Sequence, residues 1–175
     1  MVSDDGHLYC ATAGGSIISF SVSSEGALTY VDAIKPSTFT ATGNNRLYIP
    51  YMGVSATGGT NKLFVAMDDY GLASFTVYNG VFTQVSTDDQ GGRAHQFAID
   101  ESTKHIYLAN YDRGIEIYSF ADNGTLTHVA NKDGGTGLGS AWYPNGNMSN
   151  AMGMVQSGSG DGSKLMAMWG NGSSW

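Results

Sequence analysis

One short apolar pattern recurs four times along the chain, as HLYCATA from His7, KLFVAMD from Lys62, HIYLANY from His105 and KLMAMWG from Lys164. A second pattern follows three of these copies, as SIISFSV, LASFTVY and IEIYSFA. A third follows the second, as Leu28-Thr29-Tyr30-Val31, Phe82-Thr83-Gln84-Val85 and Leu126-Thr127-His128-Val129. Glycines keep step with the strands: Gly15, Gly71 and Gly114 stand at the second pattern, and Gly26, Gly80 and Gly124 just before the third. Runs that alternate apolar with polar residues and end on turn residues are short β-strands. A supersecondary unit repeated in this way buries its faces only by stacking on its own copies.

The unit is most complete from Arg93 to Val129, where RAHQFAID, HIYLANY, IEIYSF and TLTHV are separated by the turns ESTK, DRG and ADNG. Four consecutive antiparallel strands make a β-meander, with Asn123-Gly124 expected to supply the turn into the fourth. Successive copies begin 55, 43 and 59 residues apart. A four-stranded unit at that period is a β-propeller blade. The expected fold is therefore all-β, a single propeller segment over 1–175, with blades near 1–34, 51–87 and 93–130 and an incomplete one over 151–175. The longer spacings carry insertions at 35–50 and 131–150, between the fourth strand of one blade and the first of the next. In an up-and-down blade these connections share an end with the turns between strands two and three.

The formal net charge of −7, with only eight Lys and Arg, argues against nucleic acid or an anionic membrane as partner, since both require clustered basic residues. No apolar run approaches the roughly 20 residues that span a bilayer, and no signal peptide is visible, so the chain reads as soluble. No cofactor and no metal centre is expected. The single cysteine, Cys10, leaves no internal disulfide or multi-cysteine zinc site, and its expected role is a small buried hydrophobe. The motifs of zinc proteases, esterases, phosphate-binding loops and complete calcium loops do not occur.

Loops on a rigid sheet scaffold are a usual home for binding residues. The face bearing the insertions gathers Arg93 and His95 at the mouth of an inner strand, Asp68 and Asp69 from one turn, Tyr111, Asp112 and Arg113 from another, and Trp142 and Tyr143 from a long loop. The repeat sorts the histidines. His7 and His105 stand where other copies have Lys62 and Lys164, at strand starts expected to be solvated, and His128 replaces Tyr30 and Gln84 on the outermost strand. His95 is placed with Met52 and Met154 on the innermost strand, as the one ionisable group of that ring. An imidazole there suits general acid–base work. Arg93, two residues earlier and so expected on the same strand face, suits a carboxylate or a polarised carbonyl. Blander roles stay open: His95 as channel filler, the Asp pair as solvated loop carboxylates, and Tyr143-Pro-Asn-Gly as turn chemistry.

The segment AHQFAIDESTKHIYLANYDRGIEIYSFADNGTLTHV resembles a blade of the lactonase family of seven-bladed propellers, which includes bacterial 6-phosphogluconolactonase-like proteins and the fungal carboxymuconate cyclase. Family blades read P-H-H-V-A-F, a polar turn ending G-K, Y-L-Y-V-A-N, a short strand ending V-Y, then a turn and G-x-L. His95 matches the first histidine of the inner-strand motif, Gln96 stands at the second and Ala94 at the preceding proline. The resemblance implies an enzyme acting on a small anionic lactone or its open acid, with His95 as acid or base and Arg93 as carboxylate clamp. The second reading is a non-catalytic binding or scaffold propeller that grips a protein or glycan through Trp142, Tyr143 and nearby Asn and Asp residues. Rings close with roughly four to eight blades, whereas three and part of a fourth are present. Self-association, or further blades from a longer chain, is therefore expected to complete the ring, because open sheet edges invite pairing.

Overall fold

The computed structural model describes residues 6–12, 14–37, 49–56, 60–110, 113–132, 150–157 and 164–170. Strands make up all of its regular structure: β1 (His7–Ala11), β2 (Ile17–Val22), β3 (Leu28–Ile34), β4 (Tyr51–Ser55), β5 (Asn61–Ala66), β6 (Leu72–Tyr78), β7 (Val81–Asp88), β8 (Ala94–Asp100), β9 (His105–Asn110), β10 (Ile115–Phe120), β11 (Leu126–Lys132), β12 (Asn150–Ser157) and β13 (Lys164–Gly170). They form sheets in the orders β1-β2-β3, β4-β5-β6-β7, β8-β9-β10-β11 and β12-β13, every pairing antiparallel between consecutive strands. These are propeller blades, and the fold is all-β. No helix among the described residues is long and apolar enough to cross a membrane.

The recurring glycines are a backbone requirement. All six adopt positive φ, from 74° at Gly71 to 89° at Gly124, where a Cβ is disfavoured. Asn79 and Gly80 both take positive φ, 50° and 78°, as a tight hairpin between β6 and β7 needs. Asn123 does not. It supports the wider turn after β10 by accepting a hydrogen bond from Thr125 N through Oδ1 at 3.0 Å. Each third-to-fourth strand pairing also carries one register shift, at Ser19/Phe20, Ser74/Phe75 and Ile117/Tyr118. Bulges of this kind increase strand twist. With them included, Tyr30, Gln84 and His128 oppose Phe20, Phe75 and Tyr118, so the repeat holds residue by residue.

The second blade buries both faces. Tyr9, Ile17, Leu63, Val65 and Phe75 pack between the first and second, and Phe64, Leu72, Phe97, Ile106, Leu108 and Phe120 between the second and third. Phe64 and Phe120 meet with ring centroids 5.0 Å apart. A hydroxyl latch recurs at these seams: Ser19 Oγ donates to Gly80 O at 2.5 Å, and Ser74 Oγ to Gly124 O at 2.7 Å. Two-sided burial overturns the solvated strand starts expected at Lys62 and at its histidine counterparts. Lys62 is 0% exposed, its stem enclosed while Nζ donates to Thr60 O at 2.9 Å. Burial pulls its pKa below the usual lysine value, against the opposing charges of Asp122 and Glu101. His7 and His105 are half-buried for the same reason, and Cys10, expected to be buried, is half-exposed on β1.

Candidate functional site

Three segments meet at one end of the second and third blades. The β5–β6 turn closes with Met67 N donating to Gly71 O at 2.9 Å and places Asp68 at φ 50°. A short polar residue tolerates that left-handed conformation. Asp68 then exchanges two backbone hydrogen bonds with Ala94: Asp68 N to Ala94 O at 3.1 Å and Ala94 N to Asp68 O at 2.9 Å. This pair fastens the turn of one blade to the first strand of the next. It brings Asp68, Asp69, Arg93 and His95 together.

His95 is set by a bulge. Ala94 opposes Asn110 and Gln96 opposes Ala109, leaving His95 as the extra residue of β8. The register corrects the expected alignment with Met52 and Met154. Those residues face Val65 and Ala167, and the equivalent partner in the third blade, Leu108, faces Phe97. The counterpart of His95 is Met152, at a second bulge between Ala151 and Gly153 of β12. One extra residue reverses the alternation behind it, and sequence patterning carries no mark of it. Arg93 precedes β8 and the bulge follows it, so strand alternation does not set the relation of Arg93 to His95. The backbone pair at Asp68 and Ala94 is what unites them.

Arg93 Nε lies 3.3 Å from Asp69 Oδ1, with both side chains more than half exposed. Such a pair is worth little and yields readily to a competing anion. The Asp68 carboxyl is pushed above the usual carboxylate range, first by burial and then by the charge of Asp69, while Arg93 and His95 pull it back. A carboxyl whose pKa is raised by folding holds its proton more tightly in the folded state. The stabilisation is complete below the unfolded value and is lost as pH rises through the folded one. Asp68→Asn removes that penalty and keeps a side chain tolerant of positive φ. The variant should therefore gain melting temperature over the wild type at pH 7 and lose that advantage at pH 4, as thermal denaturation at both values will report.

Arg113 stands on the β9–β10 turn, where Asn110 N donates to Gly114 O at 2.8 Å and Arg113 N to Asn110 O at 2.7 Å. Its stem lies on the Gly91-Gly92 loop: a Cβ at Gly92 would sit 2.9 Å from Arg113 Cδ and 2.7 Å from Asn110 Oδ1. Asn110 Nδ2 holds this loop by donating to Gly91 O at 2.7 Å. Arg113 Nε reaches Glu116 Oε1 at 3.0 Å, and Glu116 is fully buried. The same carboxylate accepts from Asn131 Nδ2 at 2.7 Å and meets His128 Nε2 at 2.7 Å. His128, expected at the surface, is thus half-buried against Glu116 and edge-on to Tyr118. Tyr118 OH donates to Asp88 Oδ1 at 3.3 Å, and burial, with the charge of Asp88, raises the phenol above its ordinary pKa.

Asp68, Asp69, Arg93 and His95 thus converge, and Arg113 borders them across Gly92. Tyr111, Asp112, Trp142 and Tyr143 lie outside the described residues. Asn110, Glu116 and Asp88 were not singled out from sequence. The available signal was Glu116, a lone charge within the run Ile115-Glu116-Ile117-Tyr118, where the corresponding residues are Ile18 and Ala73. Among the described residues no group of three or more His, Cys, Asp or Glu is arranged to hold a metal ion.

No protein-family model matches the chain, and no curated protein sequence does. Solved structures do resemble it. A Bacteroides fragilis protein assigned as a 6-phosphogluconolactonase is 24% identical with a TM-score of 0.61, over 74% of this chain and 36% of its own. The periplasmic gluconolactonase of Pseudomonas aeruginosa is 18% identical with a TM-score of 0.61, over 75% of this chain and 38% of its own. A Bacteroides uniformis protein assigned like the first is 24% identical with a TM-score of 0.55, over 71% and 36%. In fold the chain resembles lactonase propellers, and it spans little more than a third of their length.

Proposed function

We propose that this chain carries part of a lactone-acting propeller site, with a small anionic lactone or its open acid as substrate. The observation that carries the reading is the bulged His95 beside Asp68, close enough that its charge pulls on the Asp68 carboxyl. In hydrolysis His95 takes a proton from water as the oxygen attacks the ring carbonyl carbon. Arg93 faces the developing oxyanion or a carboxylate of the substrate, displacing Asp69. The ring C–O bond breaks, the proton returns to the leaving alkoxide, and a hydroxy acid is released. Completion of the ring by a second copy, or by further blades of a longer chain, belongs to this proposal, since the site end of a propeller is shared by neighbouring blades.

Initial rates on glucono-δ-lactone, 6-phosphoglucono-δ-lactone and muconolactone, measured above spontaneous hydrolysis with the mass in solution recorded, test the reading. Turnover of the anionic lactones is expected, and Arg93→Gln should raise their KM about tenfold while leaving neutral gluconolactone nearly unchanged, the range for losing one charge-assisted contact. No turnover from a protein whose mass corresponds to a closed ring removes the proposal and leaves a non-catalytic propeller.

A further inference from the structure

We infer that Glu116, buried behind the site end, is the positioning residue that holds Arg113 over the Gly91-Gly92 loop as a second anion contact beside Arg93. The inference rests on the lactone reading for the identity of the anion, but the positioning itself stands on geometry. A fully buried carboxylate is retained only where donors satisfy it. Here Arg113 Nε at 3.0 Å and Asn131 Nδ2 at 2.7 Å donate to one oxygen, and His128 Nε2 lies 2.7 Å from the other. Asn110 Nδ2 stands 3.5 Å from the first. The donors come from the β9–β10 turn, from the end of β9 and from β11, so one side chain ties three segments of the blade.

Core packing does not require this group. The corresponding position in the second blade is Ala73, which is buried in the seam with the first blade without charge, and the first blade has Ile18 there. What the carboxylate adds is control of Arg113. Glu116 fixes the guanidinium at Nε, the only side-chain nitrogen of Arg113 with a hydrogen-bonding partner among the described residues. The two terminal nitrogens remain for a ligand, and the side chain is 43% exposed. Gly92 makes room for this arrangement. Its φ of 79° and the 2.9 Å approach of Arg113 Cδ to a Cβ there leave no space for a larger residue. Arg113 therefore crosses the loop that leads directly into Arg93 and His95. A guanidinium held by a buried carboxylate loses less entropy on gripping an anion than a loose one.

Two measurements on the 175-residue chain test this. The first is the nitrogen-detected signal of the Arg113 Nε–H, assigned by its disappearance in Arg113→Gln. A slowly exchanging signal in the wild type that is lost in Glu116→Gln, with the backbone amide spectrum otherwise preserved, is expected. Fast exchange in the wild type overturns the positioning without recourse to any variant, so a misfolded Glu116→Gln leaves the question decidable. The second is titration with D-gluconate, followed at the amides of Gly91 to His95. Glu116→Gln and Arg113→Gln should each weaken binding about tenfold, and the double variant no more than either alone, because both remove one contact. Additive losses, or unchanged affinity in Glu116→Gln, overturn it. Absence of gluconate binding by a wild type whose mass corresponds to a closed ring, with a protected Nε–H, refutes the lactone reading and the anion-contact role while leaving Glu116 as the anchor of Arg113.

Discussion

In the lactone site proposed above, replacing His95 with alanine is expected to lower kcat/KM for lactone hydrolysis at least a hundredfold, while gluconate affinity should change less than threefold. The size follows from its assigned work, since a positioned general base contributes about 10²–10⁴-fold. The separation follows from where it stands. In the proposed site, binding of the anion falls to Arg93 and Arg113 and the water to His95, so loss of His95 should appear in kcat. The bulge makes a control available. Gln96 follows His95 on β8 and pairs regularly with Ala109, so Gln96→Ala should leave kcat within a factor of about three of the wild type. Stopped-flow rates on the lactone panel for the two variants decide it. Equal losses in both would assign the effect to a damaged strand, and the acid–base role of His95 would go with it.

The sequence was most legible where the repeat repeats. Strand identity, the six turn glycines and the pairing of Tyr30, Gln84 and His128 follow from positions that recur. A local requirement such as positive φ selects the same residue type each time it occurs. Legibility fell off where one blade differs from its neighbours. The bulge at His95 inserts a residue without any residue type that announces it, and so the alignment with Met52 and Met154 slipped by two positions. Lys62 misled for another reason. Alternation presumes one wet face, and a blade stacked on both sides has none at its second strand. Glu116 combines both difficulties: an alternating pattern reads it as exposed, and only the packed seam reveals four donors around it. Asp68 and Ala94, 26 residues apart, are joined by backbone groups alone, which no side-chain pattern encodes.

That backbone junction makes Gly71→Ala the substitution with the largest expected effect on folding. Gly71 has φ 74°, and a Cβ there would lie 2.2 Å from Asp88 O and 2.7 Å from Asp89 Cα. The left-handed conformation costs an L-residue about 1–2 kcal/mol. The clash adds to it, because the opposing atoms are backbone at the end of β7 and no rotamer change relieves them. A total near 3 kcal/mol or more is expected, in the range reserved for overpacking and backbone strain together. Gly26→Ala isolates the second component, since Gly26 has φ 82° and nothing within 4 Å of the added atom. It should cost only the conformational part. Urea denaturation of both variants therefore measures the clash as a difference, and equal costs would mean that the end of β7 can move aside. The turn that Gly71 closes also carries Asp68 and, through it, the start of β8. Any Gly71→Ala protein that still folds must shift Asp88 or the turn, so the lactone activity proposed above should fall in it and stay near the wild type in Gly26→Ala. Stability and site geometry depend here on the same few ångströms of backbone.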